Sequence, residues 1–436
     1  MIITNARILT FDSKNRVLDS GSVEILPDGS IGKVSGGAAG AARNRGPRPA
    51  LDAKGKLLMP ALINCHTHLY STLARGISLP GRAPKNFPEI LKKLWWRLDR
   101  ALNEEDVYYS ALVGLIDAAK CGVGTLVDHH SSPNACAGSL DRIEQAFREV
   151  GLRGALCYET SDRNGPMQAL EGIRENIRFI DRAQRAPRGD GMVAATFGLH
   201  ASFTLSDATL RRAVEVNQSL RAGFHVHVAE DGCDAGAVQR LRDLGVLDEQ
   251  CLAAHCVHVT GADIGTLARR RVNVVHNPQS NCNNAVGAAR LLELFRRGVL
   301  VGLGSDGYSP RMFEEFKTAL HVQKLQAGDP RVAYAEAYAA AFLNNRTIVG
   351  KLWGMEVGRI EKGARADLIL VDYYPPTPLD SGNLFGHILF GIANAPVDSL
   401  MVNGRFVLRE KQCVNVDERR IAEKAARRAR ALWKRF

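Results

Sequence analysis

The feature that most constrains this chain is a series of eight short apolar runs, each followed by room for a helix. They are KLLMPALINCHTH (56–68), GTLVDHH (124–130), GALCYET (154–160), VAATFGLH (193–200), FHVHVAE (224–230), CLAAHCVHV (251–259), VNVVHN (272–277) and VLVGLGSD (299–306). Nearly every position in them is apolar, as expected of strands covered on both faces. Eight βα units in about 300 residues predict an α/β protein built on a (β/α)8 barrel of the TIM type.

The chain ends read differently. Residues 2–10, 22–26 and 51–58 are short β-type runs, and 36–50 is a Gly/Ala/Arg-rich loop. Near the other end, 364–373 and 398–410 read as strands, the latter turning through Asn403-Gly404, a strong hairpin signal. The expected organisation is a small β-sandwich domain from both ends (1–57 and 355–416), a barrel (58–354) and a basic terminal helix (417–436). Within the barrel, Asn103 is placed to cap a helix running to Gly122, and Gly151 to stop one that starts at Ser139.

Histidines and acids gather where these strands end. His66 and His68 end the first, His129 and His130 the second, His200 the fourth, and His227 with Glu230 the fifth. His255 and His258 end the sixth, His276 the seventh and Asp306 the eighth. Strand ends converge on one mouth of such a barrel, so these side chains share a site. His66 and His68 are two apart and face the same way. With His227 and Asp306 they supply three imidazoles and a carboxylate, a donor set for one divalent metal, zinc first and iron(II) second. His225 lies one step deeper and reads as a supporting or core residue.

The joint motifs resemble the metal-dependent amidohydrolase superfamily, in its cytosine deaminase/chlorohydrolase branch. They are P-A-L-I-N-C-H-T-H at 60–68, H-V-A-E at 227–230, A-A-H-C-V-H at 253–258, H-N-P-Q-S-N at 276–281 and G-S-D-G at 304–307. The closing A-D-L-I-L-V and V-N-G-R runs belong to the same pattern, so the likeness covers almost the whole chain. D-H-H at 128–130 and W-W-R-L-D-R-A-L at 95–102 are similar to the aminohydrolases called SsnA, near the 8-oxoguanine deaminases.

The resemblance implies metal ligands His66, His68, His227 and Asp306, with Asp306 also the general base. It implies Glu230 as the proton shuttle, His255 beside the attacking water, and His200 at the substrate's exocyclic group. The implied reaction is hydrolytic deamination of a purine, pterin or pyrimidine-like heterocycle by metal-bound hydroxide, with release of ammonia. The same site would also suit a cyclic amide hydrolase or a dechlorinating hydrolase. Two-metal relatives use a carbamylated lysine, but no Lys occurs between Lys120 and Lys317, so one metal is expected. His129 and His130 are the candidates for an unusual second site and, otherwise, for substrate contact. Residues 69–102 exceed an ordinary βα connection. They read either as a lid presenting Arg75, Trp95 and Trp96 to substrate, or as helix packing on the rim. Asn277, Ser280 and Asn281 either bind substrate or cap the next helix.

Competing readings are weaker. Gly302, Gly304 and Gly307 fit G-x-G-x-x-G, but the pattern closes a strand series instead of opening a dinucleotide unit. The net charge of +11 raises nucleic acid as a partner, yet 417–436 holds eight Lys/Arg against three Asp/Glu, nearly half the excess. The alternative from another class is therefore a scaffold that binds partners through that helix. The expected partner is a small heterocycle, without nucleic acid or membrane, and a homodimer is carried over from the family. Nine cysteines with no C-x-x-C read as reduced thiols of a cytoplasmic protein. No run reaches about 18 apolar residues.

Overall fold

A computed structural model describes residues 1–37, 50–185 and 191–436. The expected 36–50 loop lies mostly outside the described residues. Four strands, Leu62–Thr67, Val123–His130, Arg153–Tyr158 and Val193–Ala195, form one parallel sheet in chain order. Five more, Phe197–Ala201, Phe224–Val228, Leu252–His255, Asn273–His276 and Leu300–Leu303, form a second. The run read as one strand at 193–200 is divided at Thr196. Its first half pairs with Gly154–Leu156, its second with the Phe224 strand, so one segment serves both sheets. Isolated parallel bridges Thr160↔Leu199 and Thr67↔Asp306 also join sheet to sheet. Parallel pairing puts every strand's C-terminal end on the same side, which assembles the site described below.

The 56–68 run is also divided, at Ala61. Leu57–Pro60 pairs with Ile8 on one side and with Leu368–Val371 on the other. It thus sits inside a nine-stranded sheet drawn from both ends of the chain, and only Leu62 onward enters the parallel sheet. The Asn403-Gly404 turn is observed, with φ of 51° and 73° between paired Val402 and Arg405.

Helix Glu104–Lys120 starts with a reciprocal cap, the Asn103 side chain accepting from Asp106 N–H and Asp106 accepting from Asn103 N–H. Helix Ser139–Val150 stops at Gly151, whose φ of 92° suits only glycine comfortably. The terminal helix Glu418–Arg435 packs on this region. Arg428 and Arg435 both pair with buried Asp106, Arg435 Nε donates to Ala101 O at 2.9 Å, and Trp433 Nε1 to Leu73 O at 2.8 Å. These basic residues are thus engaged within the chain. Asp106→Ala removes half of the reciprocal cap and the carboxylate that Arg428 and Arg435 share, while Arg428 keeps Glu105 and Asn103 and Arg435 keeps Ala101 O, so we expect a loss of about 1–2 kcal/mol in urea unfolding. An unchanged midpoint would show the helix docking is incidental. No described helix is long and apolar enough to cross a membrane.

Candidate active site

At the strand ends, the side chains of His66, His68, His227 and Asp306 bring one ligand atom each within 4.8 Å of one another. His68 Nε2 lies 3.1 Å from His227 Nε2 and 3.0 Å from Asp306 Oδ1; His66 Nε2 is 3.6 Å from the same oxygen. The opposite ring nitrogens are held from behind. His68 Nδ1 donates to His129 O at 2.6 Å, His227 Nδ1 to His200 O at 2.7 Å, and His66 Nδ1 meets His225 Nε2 at 2.8 Å. For His68 and His227 this bond fixes the ring and turns Nε2 into the cluster. His66 Nε2 is buried and has no hydrogen-bond partner.

Burial drives His66 down to about 3, despite Asp306, so its ring is neutral. Burial and the neighbouring histidines hold His227 low as well. Burial opposes charge on His68 too, but Asp306 overrides it and raises the imidazole to about 9. Asp306 itself stays ionised against its burial through His66 and His68. Three converging imidazole nitrogens, one of them orphaned, and a carboxylate demanding positive charge fit a divalent metal of the zinc or iron(II) type.

Glu230 and His255 stand beside Asp306. His255 Nδ1 donates to Asn281 Oδ1 at 2.8 Å, leaving Nε2 3.5 Å from Glu230 Oε2 and 3.8 Å from Asp306 Oδ2. Burial, reinforced by Asp306, raises the Glu230 carboxyl well above its usual range. Ser280 Oγ donates to Asp306 Oδ2 at 2.5 Å. Ala229, His255, Cys256 and Asp306 all have positive φ between 46° and 74°. Left-handed backbone at non-glycine residues is costly, and here it occurs at the strand ends that carry His255 and Asp306 and next to Glu230. Gly304 permits the approach, since a Cβ there would stand 2.8 Å from His66 N.

The cluster opens into a pocket of about 790 Å³, counted out to its mouth. His200, Trp95 and Trp96 line it, together with Phe87, Leu91 and Phe203. The 69–102 segment therefore supplies an aromatic wall, on the helical stretch Phe87–Ala101 with a π-type turn at Leu91–Trp95. Ser280 lines the pocket, and Asn281 orients His255; neither side chain caps the helix Pro278–Asn283.

Three anticipated substrate contacts lie elsewhere. Arg75 follows the turn Leu69–Ala74, is mostly exposed, and pairs with Asp117 at 2.7 Å. His130 alternates away from the site and bonds Ser132 Oγ at 2.8 Å. His129 is buried behind the cluster, its Nε2 donating to His225 O at 3.1 Å and its Nδ1 3.4 Å from Glu159. His225 supports His66, and the thiols of Cys65 and Cys256 are buried in packed cores, not in the cluster.

Glu159, Arg163 and Asp99 escaped the sequence reading. Glu159 directly follows the third strand and obeys the same strand-end rule as the histidines, so it was there to be found. Arg163 and Asp99 meet across 64 residues, a contact that no local pattern announces. Glu159 also completes a second grouping with His68, His129 and His227, which shares two members with the first.

Residues 57–407 match the Amidohydrolase family. The chain is 34% identical to a 5-methylthioadenosine/S-adenosylhomocysteine deaminase of Desulforudis audaxviator, covering 88% of each chain. It is 30% identical to a 5'-deoxyadenosine deaminase of Methanosarcina mazei, over 99% of this chain and 98% of that one. In fold it is similar to a zinc-bound adenosine deaminase of Xanthomonas campestris, with a TM-score of 0.86, 22% identity, and coverage of 100% and 98%.

Proposed function

The chain belongs to the amidohydrolase family, and from that premise we propose that it is a metal-dependent hydrolase that deaminates a purine of the adenosine type, releasing ammonia. One observation carries the reading: Glu230, His255 and Asp306 surround a three-histidine cluster at the floor of an aromatic-walled pocket. His66, His68, His227 and Asp306 would hold a single divalent ion, zinc before iron(II). Such an ion supplies Lewis acidity and lowers the pKa of bound water to about 7.

The chain's own groups do the rest. Asp306, ionised and steadied by Ser280, accepts the proton of the attacking water. Glu230, kept protonated by burial, donates to the ring nitrogen next to the attacked carbon and passes protons to the departing amine. The Nε2 lone pair of His255 accepts a hydrogen bond from the water and holds it opposite the ring. Trp95 and Trp96 provide faces on which a planar base stacks.

The accompanying architecture is a closed (β/α)8 barrel, 58–354, with a β-sandwich from 1–57 and 355–416 and a separate terminal helix. The bridges Thr160↔Leu199 and Thr67↔Asp306 support closure. An apolar cluster including Ile3, Val23, Leu58 and Leu368 supports an enclosed sandwich face. A cytoplasmic homodimer completes the proposal; nine free thiols, five of them buried, suit a reducing compartment.

The test is metal content followed by ammonia release from adenosine derivatives, other purines and triazines. We expect close to one equivalent of zinc or iron, loss of activity on chelation, and its return with zinc. Less than about a tenth of an equivalent would favour a non-catalytic scaffold. Dechlorination without ammonia would move the reaction to the carbon–halogen class.

A further inference from the structure

The parallel strands fall into two sheets, so their wall has two seams. One lies between Leu62–Thr67 and Leu300–Leu303, the other between Arg153–Tyr158 and Phe197–Ala201. Among the described residues, neither pair of strands shares a backbone ladder. Each seam has one isolated bridge close to the site, Thr67↔Asp306 and Thr160↔Leu199. Deeper in the wall, buried N–H and C=O groups without a neighbouring strand must find partners elsewhere.

At each seam a fully buried asparagine from an outer helix takes the place of the ladder. Asn345, which begins helix Asn345–Trp353, accepts from Leu303 N–H at 2.7 Å and donates to Leu303 O at 3.0 Å and Ile63 O at 2.8 Å. Gly302 leaves it room, since a Cβ there would overlap the Asn345 oxygen. Asn176, in helix Pro166–Arg185, accepts from Tyr158 and Gly198 N–H at 2.9 and 3.1 Å. Its amide nitrogen lies 2.8 and 3.2 Å from the carbonyl oxygens of the same two residues.

The seams differ in what flanks them. The strands beside Asn176 carry none of His66, His68, His227 and Asp306. Those beside Asn345 carry His66 and lead directly into His68 and Asp306, and there side chains join the strands all the way up to the ligands. Asn64 Nδ2 donates to Ser305 Oγ at 2.7 Å, and its Oδ1 accepts from Ser305 N–H at 3.1 Å and His66 N–H at 3.3 Å. One step further, Asp306 N–H donates to His66 O at 2.9 Å and Thr67 Oγ1 to Asp306 O at 3.1 Å. Asn64 and Ser305 are fully buried and do not line the pocket. The separation of His66 and His68 from Asp306 is thus set largely by side chains, not by sheet pairing.

We propose that Asn345, Asn64 and Ser305 are positioning residues of the metal centre. They hold the two strands in the register that lets His66, His68 and Asp306 share one ion, whereas Asn176 makes the same kind of connection for the fold alone. The inference rests on the metal-dependent reading of the site and adds to it three residues that touch neither substrate nor ion.

The test is zinc affinity of the apo protein, measured by competition with a chromophoric chelator, for wild type, Asn345→Ala, Ser305→Ala and Asn176→Ala. The first two variants are expected to bind zinc about 10–100-fold more weakly, as happens when groups that orient ligands are lost. Asn176→Ala should lower the urea midpoint yet keep zinc affinity within about threefold of wild type, because no ligand flanks its seam. Cobalt(II) in place of zinc gives a second readout. Its visible bands follow ligand geometry, so they should shift in the first two variants and not in the third. Equal weakening in all three would reduce these contacts to general stability and overturn the proposal. Wild-type affinity and an unshifted cobalt spectrum in folded Asn345→Ala would overturn it too. Should that variant fail to fold, Ser305→Ala, which removes a single oxygen, decides by the same criteria. A wild-type chain that takes up less than about a tenth of an equivalent of zinc would defeat the metal reading itself. Zinc bound equally tightly by every variant would defeat only the positioning role.

Discussion

Replacing Asp306 with asparagine is expected to lower kcat by about 10⁴-fold or more while the protein keeps its fold. The magnitude reflects two roles lost together. Asp306 Oδ1 lies 3.0 Å from His68 Nε2 and 3.6 Å from His66 Nε2, so it closes the only carboxylate side of the ligand cluster. An amide oxygen there is neutral and a weaker ligand, and the amide nitrogen has no lone pair with which to accept the water's proton. The shape is conserved, and the oxygen can still accept from Ser280, so the positive-φ backbone at residue 306 need not move. Zinc affinity should also fall, so metal content is measured beside kcat and far-UV circular dichroism. A variant that binds a full equivalent of zinc and turns over near the wild-type rate would refute Asp306 as proton acceptor. A full equivalent with the expected rate loss would separate the base role from ligation.

How much of this was legible in the chain depends on whether each position obeys a local rule. His66 and His68 share a side of the strand because side chains alternate with period two; Asp306 stands beside them through the bridge Thr67↔Asp306, and His227 reaches the cluster from a strand of the other sheet. The Asn103 cap, the Gly151 stop and the Asn403-Gly404 turn are equally local, and they stand as expected. His129 and His130 show the limit of that logic. Both end a strand, yet alternation sends one behind the cluster and the other to Ser132, and a D-H-H motif does not say which faces the mouth. Arg75 was tied to the site as part of a 69–102 lid, but the Leu69–Ala74 turn carries it out to Asp117 on another element. The 56–68 and 193–200 runs read as single strands because both halves of each are apolar. Their division comes from which neighbour each half pairs with, a property of the sheets and not of the segment.

Glu230→Gln is expected to lower kcat by about 10²–10⁴-fold with little change in KM, and to alter the pH profile in a specific way. Burial first, and Asp306 second, raise this carboxyl well above its ordinary range, so it enters the cycle protonated. The sign follows directly. The acid form is the active one at the ring nitrogen, so activity should decline as pH rises through the raised Glu230 value. Glutamine keeps the size of the side chain and an N–H to offer, and its oxygen can still accept from Asn284, 3.4 Å from Glu230 Oε1. It cannot transfer a proton at any pH, so the alkaline limb assigned to Glu230 should vanish, leaving a lower and flatter profile on that side. A substrate with a better leaving group than ammonia should lose less on substitution, because its departure needs less protonation. Retention of both the rate and the alkaline limb would show that another group titrates there. His255 would then be the first to test, since its Nε2 lies 3.5 Å from the Glu230 carboxyl and 3.8 Å from Asp306.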